Sequence, residues 1–413
     1  MRIVCPRGLV ASILSAALAG AACSPGAGTG AKAGPSVAAV AAWTWEAVDP
    51  DPASEAGPQA VTGWDGAYVG VGFGRAWTSP DGRTWSSSAL PEADSGYGWD
   101  IVATPGFLVA LGSSGDRPDT WISTDGRAWT RSGDPDLGPT GASIDHLANG
   151  PAGIVAVGTE LKGGGQHPMA WWSADGLDWV RTGDALVGGG ARDVASGTSG
   201  YVMVGADTVP ANDLTKAAFW FSPDGKTWEA IPDDGTRAFA EPQAVTGTED
   251  GFVAVGFQGT IGGMGAALSP IAWTSKDGRA WTRAEPTADM AAWPFPGPTP
   301  VADEGALQGG VMWDVAKAPS GLLAVGSYWG LDPEVEMPEG GHGFAQAGAA
   351  WRAPDASGWE LLEEPFVRIE PGNDTTSPKY GFQRVTTVGS TPLIFGTTRE
   401  GGAVLWLGRP AES

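Results

Sequence analysis

Short apolar runs recur along this chain, each bounded by small residues. They read GAYVGVG (66–72), GFLVALG (106–112), GIVAVG (153–158), GYVMVG (200–205), GFVAVG (251–256), GLLAVG (321–326) and TPLIFG (391–396). Continuous apolar runs of this length, punctuated by Gly, predict strands buried on both faces. A shorter run precedes each one: QAVT (59–62), DIVA (100–103), DHLA (145–148), RDVA (192–195), QAVT (243–246), WDVA (313–316) and FQRVTT (382–387). After each of the first six second strands comes a Trp-flanked string. These are WTSPDGRTW (77–85), WISTDGRAW (121–129), WWSADGLDW (171–179), WFSPDGKTW (220–228), WTSKDGRAW (273–281) and the degenerate WRAPDASGW (351–359).

Asp-Gly between strand-like flanks is a strong hairpin signal, because tight hairpin turns need positive φ. A two-residue turn places the two Trp on opposite faces of the sheet; a three-residue turn places them on one face. Four strands in order, repeated at about 50 residues, are what a propeller blade requires. The closing Trp residues, and with them the blade ends, fall near 85, 129, 179, 228, 281 and 359. The last interval is the longest and must carry insertions. AVLWLG (403–408) is a third strand with no turn after it, and WTWEAVDP (43–50) reads as a closing strand alone. Trp45-Glu46-Ala47-Val48 parallels Trp228-Glu229-Ala230-Ile231. The expectation is an all-β, seven-bladed propeller of four-stranded antiparallel blades over 43–410. Its last blade, 382–408 with 43–50, is closed by the N-terminal strand, which removes an exposed sheet edge.

Composition agrees with this pattern. Among 413 residues there are 65 Gly, 33 Pro and 21 Trp, a turn-rich and aromatic-rich mixture foreign to disordered chains. The net charge of −23 argues against nucleic acid and anionic lipid surfaces as partners. Arg2 and Arg7 precede an apolar stretch, Leu9 to Leu18, too short to span a bilayer, and small residues then lead to Cys23. Residues 1–22 therefore read as an export signal. The segment is similar to a bacterial lipoprotein signal, which implies lipidation of Cys23, a flexible tether over 23–42 and an extracytoplasmic, membrane-anchored domain. Cleavage after Ala21, giving a secreted form, is the alternative. With Cys5 and Cys23 the only cysteines, the domain beyond the tether has no disulfide.

The Trp/Asp-Gly string resembles the Asp-box, or BNR, repeat of bacterial neuraminidases and their non-enzymatic relatives. That family's motif has one residue between Asp and Gly; here they are adjacent, as in Asp81-Gly82 and Asp277-Gly278. The resemblance implies a propeller and assigns Asp81, Asp125, Asp175, Asp224 and Asp277 to outer structural turns. It also implies that ligands meet the opposite face. Sialidase activity in that family needs three Arg, a Tyr nucleophile with its Glu, and an Asp acid. One of those Arg usually sits in an F/Y-R-I-P motif, and that motif is missing from this sequence.

Candidate ligand contacts are accordingly the starts of the first strands: Asp100, Asp145 with His146, Arg192 and Asp193, Asp314, and Arg384, with Gln59, Gln243, Trp313 and Gln383 in the same ring. These groups either contact a ligand or pair between blades. Long connections at 284–311, 327–349 and 364–381 add Trp293, Phe295, Tyr328, Trp329, Phe344 and Tyr380 as contact aromatics. His146, His167 and His342 lie in different repeats, so no zinc site is expected. No catalytic residue, metal or cofactor is assigned, although calcium held by backbone carbonyls would leave no mark in the sequence. The reading that follows is a monomeric binding scaffold for a protein or glycan. A glycan-acting hydrolase or lyase using Asp100, Asp145 or Asp314 is one alternative; an assembly factor for a membrane complex is another. The enzyme alternative needs two carboxylates left unpaired by Arg or backbone.

Overall fold

The computed structural model describes residues 43–410 apart from 51–56, 95–98, 116, 135–136, 138–142, 164, 184–185, 187, 210–213, 263–264, 285–286, 288–307, 337–341, 363–379 and 399–402. The described chain is all β, built from antiparallel meanders. The first blade takes Ala60–Trp64, Ala67–Gly72, Arg75–Ser79 and Ser86–Ala89. The second takes Asp100–Ala103, Leu108–Ser114, Arg117–Ser123 and Thr130–Arg131. The third runs through Ser143–Gly150, Gly153–Lys162, Gly165–Ser173 and Val180–Arg181. The fourth runs through Gly190–Gly197, Gly200–Val209, Leu214–Ser222 and Glu229–Ala230. Another joins Tyr380–Val388, Thr391–Thr398 and Ala403–Pro410 to Trp43–Val48, with Trp45 opposite Gly408 and Ala47 opposite Trp406.

The expected count of seven four-stranded blades is corrected to five. The remaining strands form one eight-stranded sheet. Its first half is Ala240–Thr248, Gly251–Gly262, Gly265–Ser275 and Thr282–Arg283; its second is Gln308–Ala318, Gly321–Glu336, His342–Ala353 and Glu360–Leu361. A short parallel contact joins them, Ala267 to Gln308 and Leu268 to Gly309. The cause is strand length. The inner strand Gln308–Ala318 has 11 residues where Asp100–Ala103 has 4, and its extra start reaches the neighbouring third strand. The sequence region expected as a loop at 327–349 is likewise mostly paired strand, Ser327 to Asp332 running opposite Gly348 to Gly343.

The core lies between blades. Val109, Leu111, Ile154, Ala156, Trp171 and Trp179 form one such layer, drawn from two neighbouring blades. Leading and closing Trp of one string share a layer, as Trp121 with Trp129 and Trp273 with Trp281 do. The turn between them is not a two-residue one: Arg75–Ser79 and Ser86–Ala89 leave residues 80–85 as its loop. Within it Asp81 Oδ1 accepts the N–H groups of Arg83 and Thr84, Gly82 N donates to Ser79 Oγ, and Trp85 Nε1 donates to Gly82 O. Only the Gly has positive φ, at 75°. A Cβ there is excluded for a second reason. At Gly176 it would lie 2.5 Å from Val109 of the preceding blade, and at Gly126 2.8 Å from Val69. Each turn backbone thus seals the layer beneath it.

Candidate functional site

The inner strands carry a feature that positions the site. Five of them shift register on a β-bulge, between Ile144 and His146, Ala191 and Asp193, Pro242 and Ala244, Met312 and Asp314, and Phe382 and Arg384. A bulge spends an extra residue and re-aims the side chains beside it. Alternation along a plain strand would send neighbouring side chains to opposite faces. Here the bulged residues Asp145, Arg192, Gln243, Trp313 and Gln383 and their successors His146, Asp193, Ala244, Asp314 and Arg384 all line one cavity of about 540 Å³ at the channel mouth. The space the bulge needs comes from the Gly that ends each apolar run. A Cβ on Gly158 would sit 1.9 Å from Ser143 O, and one on Gly326 1.8 Å from Val311 O.

The successor positions continue down into a narrower chamber of about 170 Å³, where Asp100, His146, Asp193, Asp314 and Arg384 meet. Arg384 Nη1 donates to Asp100 Oδ1 at 3.1 Å. His146 Nδ1 lies 3.2 Å from Asp193 Oδ1 and 4.0 Å from Asp100 Oδ2. Each carboxylate also bonds backbone on two strands. Asp100 accepts from Ile101 N and from Leu147 N of the next blade; Asp193 accepts from Val194 N and Val245 N; Asp314 accepts from Val315 N and Val385 N. Three carboxylates therefore face one guanidinium, and all three tie one inner strand to the next.

This imbalance shows in their acidity. Burial raises the Asp100 carboxyl, against the pull of Arg384. Burial, and then the Asp314 charge, pushes Asp193 well above the ordinary carboxylate value. Burial lifts Asp314 to about 6, opposed by its backbone bond to Val385 and by Arg384. His146 is driven well below the ordinary imidazole value by burial and then by Arg384, which keeps it neutral.

The mouth differs from the chamber. Trp313 is 38% exposed, and its Nε1 donates to Ser327 Oγ at 3.0 Å. Arg192 reaches across to the buried Glu241, Nε to Oε1 at 2.9 Å, and Gln243 Nε2 donates to the same oxygen. The pairing of Arg192 is thus with Glu241, and that of Arg384 is with Asp100. Asp145 bonds Ser143 within its own strand and sits one position before the channel-facing set, where His146 stands instead.

Two expected contact aromatics sit away from the mouth. Tyr328 is buried, its ring 5.5 Å from that of Trp351 in the core layer. Trp329 packs over Gly309, where a Cβ would meet its ring at 2.4 Å. Neither lines the mouth, because the stretch that carries them is strand. Cys23, the segments 1–22 and 23–42, Trp293 and Phe295 lie outside the described residues, as do the side chains of Phe344 and Tyr380. Glu241 and Ser327 were not legible as site residues: the apolar pattern starts the first strand at Gln243, whereas the strand begins at Ala240, and Ser327 falls in a stretch read as a loop. Among the described residues, no group of three or more His, Cys, Asp or Glu is placed to hold a metal ion.

No family model matches this chain, and no curated protein matches it. Solved structures do. The chain is similar to a selenomethionine-substituted virginiamycin B lyase from Staphylococcus aureus at 10% identity, covering 89% of this chain and 100% of that one, with a TM-score of 0.50. A streptogramin B lyase structure aligns at 8% identity over 89% and 98% of the two chains, TM-score 0.48. A glycosyl hydrolase from Bacteroides ovatus aligns at 14% identity over 79% and 88%, TM-score 0.35. At such identities the likeness is one of fold: the chain is an all-β propeller of four-stranded antiparallel blades.

Proposed function

We propose that this protein is a binding module that takes a polar ligand, a glycan or a peptide segment, at the channel mouth. The observation that carries this reading is the division of labour along the inner strands. The channel carboxylates Asp100, Asp193 and Asp314 are engaged by backbone of the next strand, whereas the bulged residues present Trp313, Arg192, Gln243 and Gln383 to an open cavity of about 540 Å³. A half-exposed indole beside amide and guanidinium donors offers an apolar face with hydrogen bonds at its edge. As part of the same reading the repeat is a variant Asp box. The domain stands outside the membrane on a lipid carried by Cys23, and it acts as a monomer. A thermal-shift screen against neutral oligosaccharides and against acidic and basic peptides tests the reading. A ligand of one class should raise the melting temperature by mass action. No shift with any class, at concentrations where weak binders register, contradicts it.

A second reading, a glycan-acting hydrolase or lyase, lacks the two unpaired carboxylates it needs, since Asp100, Asp193 and Asp314 all accept backbone N–H groups, and it draws on one observation. Burial brings Asp314 to about 6, a value suited to proton transfer near neutrality. It is supported if oligosaccharide is consumed and Asp314→Asn abolishes that turnover without loss of binding.

A further inference from the structure

A cavity of about 790 Å³ lies on the opposite face, beside the turns rather than at the mouth. It opens within the eight-stranded sheet, between its two four-strand halves. Its position has a local cause. At the other turns a Gly with φ between 72° and 80° lets the backbone sit directly on the layer of the preceding blade. The turn at 354–359 has Ala356 in that place and Ala353 where Ser79, Ser123, Ser173, Ser222 and Ser275 stand in the others. The Trp359 Nε1 bond to Ala356 O is kept, so the loop survives without its Gly-Ser clamp. Phe252, Val253, Leu322 and the buried Ala356 form the apolar floor of the cavity.

The rim is charged and uneven. Glu249, Asp250, Asp277 and Asp355 stand against Lys276 and Lys317. Asp277 is held ionised by the N–H groups of Ala280 and Arg279, and Asp355 by the hydroxyl and N–H of Ser357. Glu249 and Asp250 sit exposed at a hairpin tip. An apolar pocket of this size suits a small molecule, and an acidic rim on a chain of net charge −23 favours a cationic one.

We infer that this cavity is a second binding site, distinct from the mouth, for a small molecule with an apolar body and one ammonium group. Calorimetric titration of the protein with 1-naphthylmethylammonium, 1-naphthylmethanol and 1-naphthylacetate tests it. One ammonium probe should bind per chain, most tightly of the three, with the acetate weakest. Glu249→Gln with Asp250→Asn, both exposed and remote from the core, should weaken the ammonium probe about threefold to tenfold, as expected for exposed charges, and leave the alcohol unchanged. Leu322→Trp should fill the floor and abolish binding of all three, while Trp313→Ala at the mouth should change nothing. Acetate binding as tight as ammonium, binding lost in Trp313→Ala, or no saturable binding would overturn the proposal. The charge variants decide the outcome even if Leu322→Trp does not fold.

Discussion

The Asp193 carboxylate accepts the backbone N–H of Val245, 2.8 Å away on the neighbouring inner strand, and that of Val194 on its own. One side chain thus closes the seam between two sheets at the channel wall. Asp193→Ala leaves both donors without their acceptor. Each buried unsatisfied group costs about 1–3 kcal/mol, so a loss of about 2–6 kcal/mol is expected in denaturant unfolding. Asp193→Asn keeps an acceptor and should lose clearly less.

The raised Asp314 carboxyl makes stability depend on pH. Its folded value is about 6, above the ordinary 3.8. Between those values the folded state holds the proton more often, so this group's contribution is full below pH 4 and is lost as pH rises through 6. His146, depressed by burial, acts in the opposite sense below its ordinary value. Asp100 and Asp193, also raised, act in the same sense as Asp314, so wild type alone mixes these groups. The difference between Asp314→Asn and wild type reads Asp314 together with its coupling to Asp193. That difference should grow in the variant's favour from pH 4 to pH 7.5, by about 2–3 kcal/mol. Melting curves across this range check it; a flat difference contradicts it.

Turn glycines should separate by what lies beneath them. Gly176 has φ 76° and Val109 2.5 Å from a built Cβ, whereas Gly133 has φ 66° and open space. Gly133→Ala meets backbone strain alone, about 1 kcal/mol. Gly176→Ala adds overpacking of the layer, about 1–3 kcal/mol more. Equal melting temperatures for the two variants would contradict the sealing role of the turn.

The strand Trp43–Val48 covers the edge of Ala403–Pro410 over six residue pairs. Removing it exposes an unpaired edge and the surface under Trp45. The truncated chain should melt lower and elute as higher-order species at raised concentration, where the full chain stays monodisperse.

Much of the strand order could be read from residues. Apolar runs ending in Gly marked the second strands, and the likeness of Trp45-Glu46-Ala47-Val48 to Trp228-Glu229-Ala230-Ile231 pointed to the partner of the N-terminal strand. The blade count was not legible, because an inner strand of 11 residues looks like a loop until its neighbour is known. Bulges leave no pattern of their own in the first strands. Their trace was the Gly at 158, 205, 256 and 326, whose Cβ would strike the bulged backbone. The sequence named Asp145 and His146 together, and only the bulge divides them, Asp145 to the mouth cavity and His146 on into the chamber as well. Pairing partners such as Glu241 for Arg192 lie in different repeats, and spacing alone could not join them.

The central claim is that Trp313 and Arg192 take ligand at the mouth while the channel carboxylates hold the sheets together. Calorimetric titration of the strongest stabilising glycan or peptide into wild type and into Trp313→Ala with Arg192→Gln tests it most directly. The predicted result is an affinity at least about tenfold lower in the double variant, the loss of a stacking face and a charged donor, in a protein that melts lower, since Glu241 and Ser327 lose their partners, but still unfolds cooperatively. Equal affinity in the two folded proteins would contradict it.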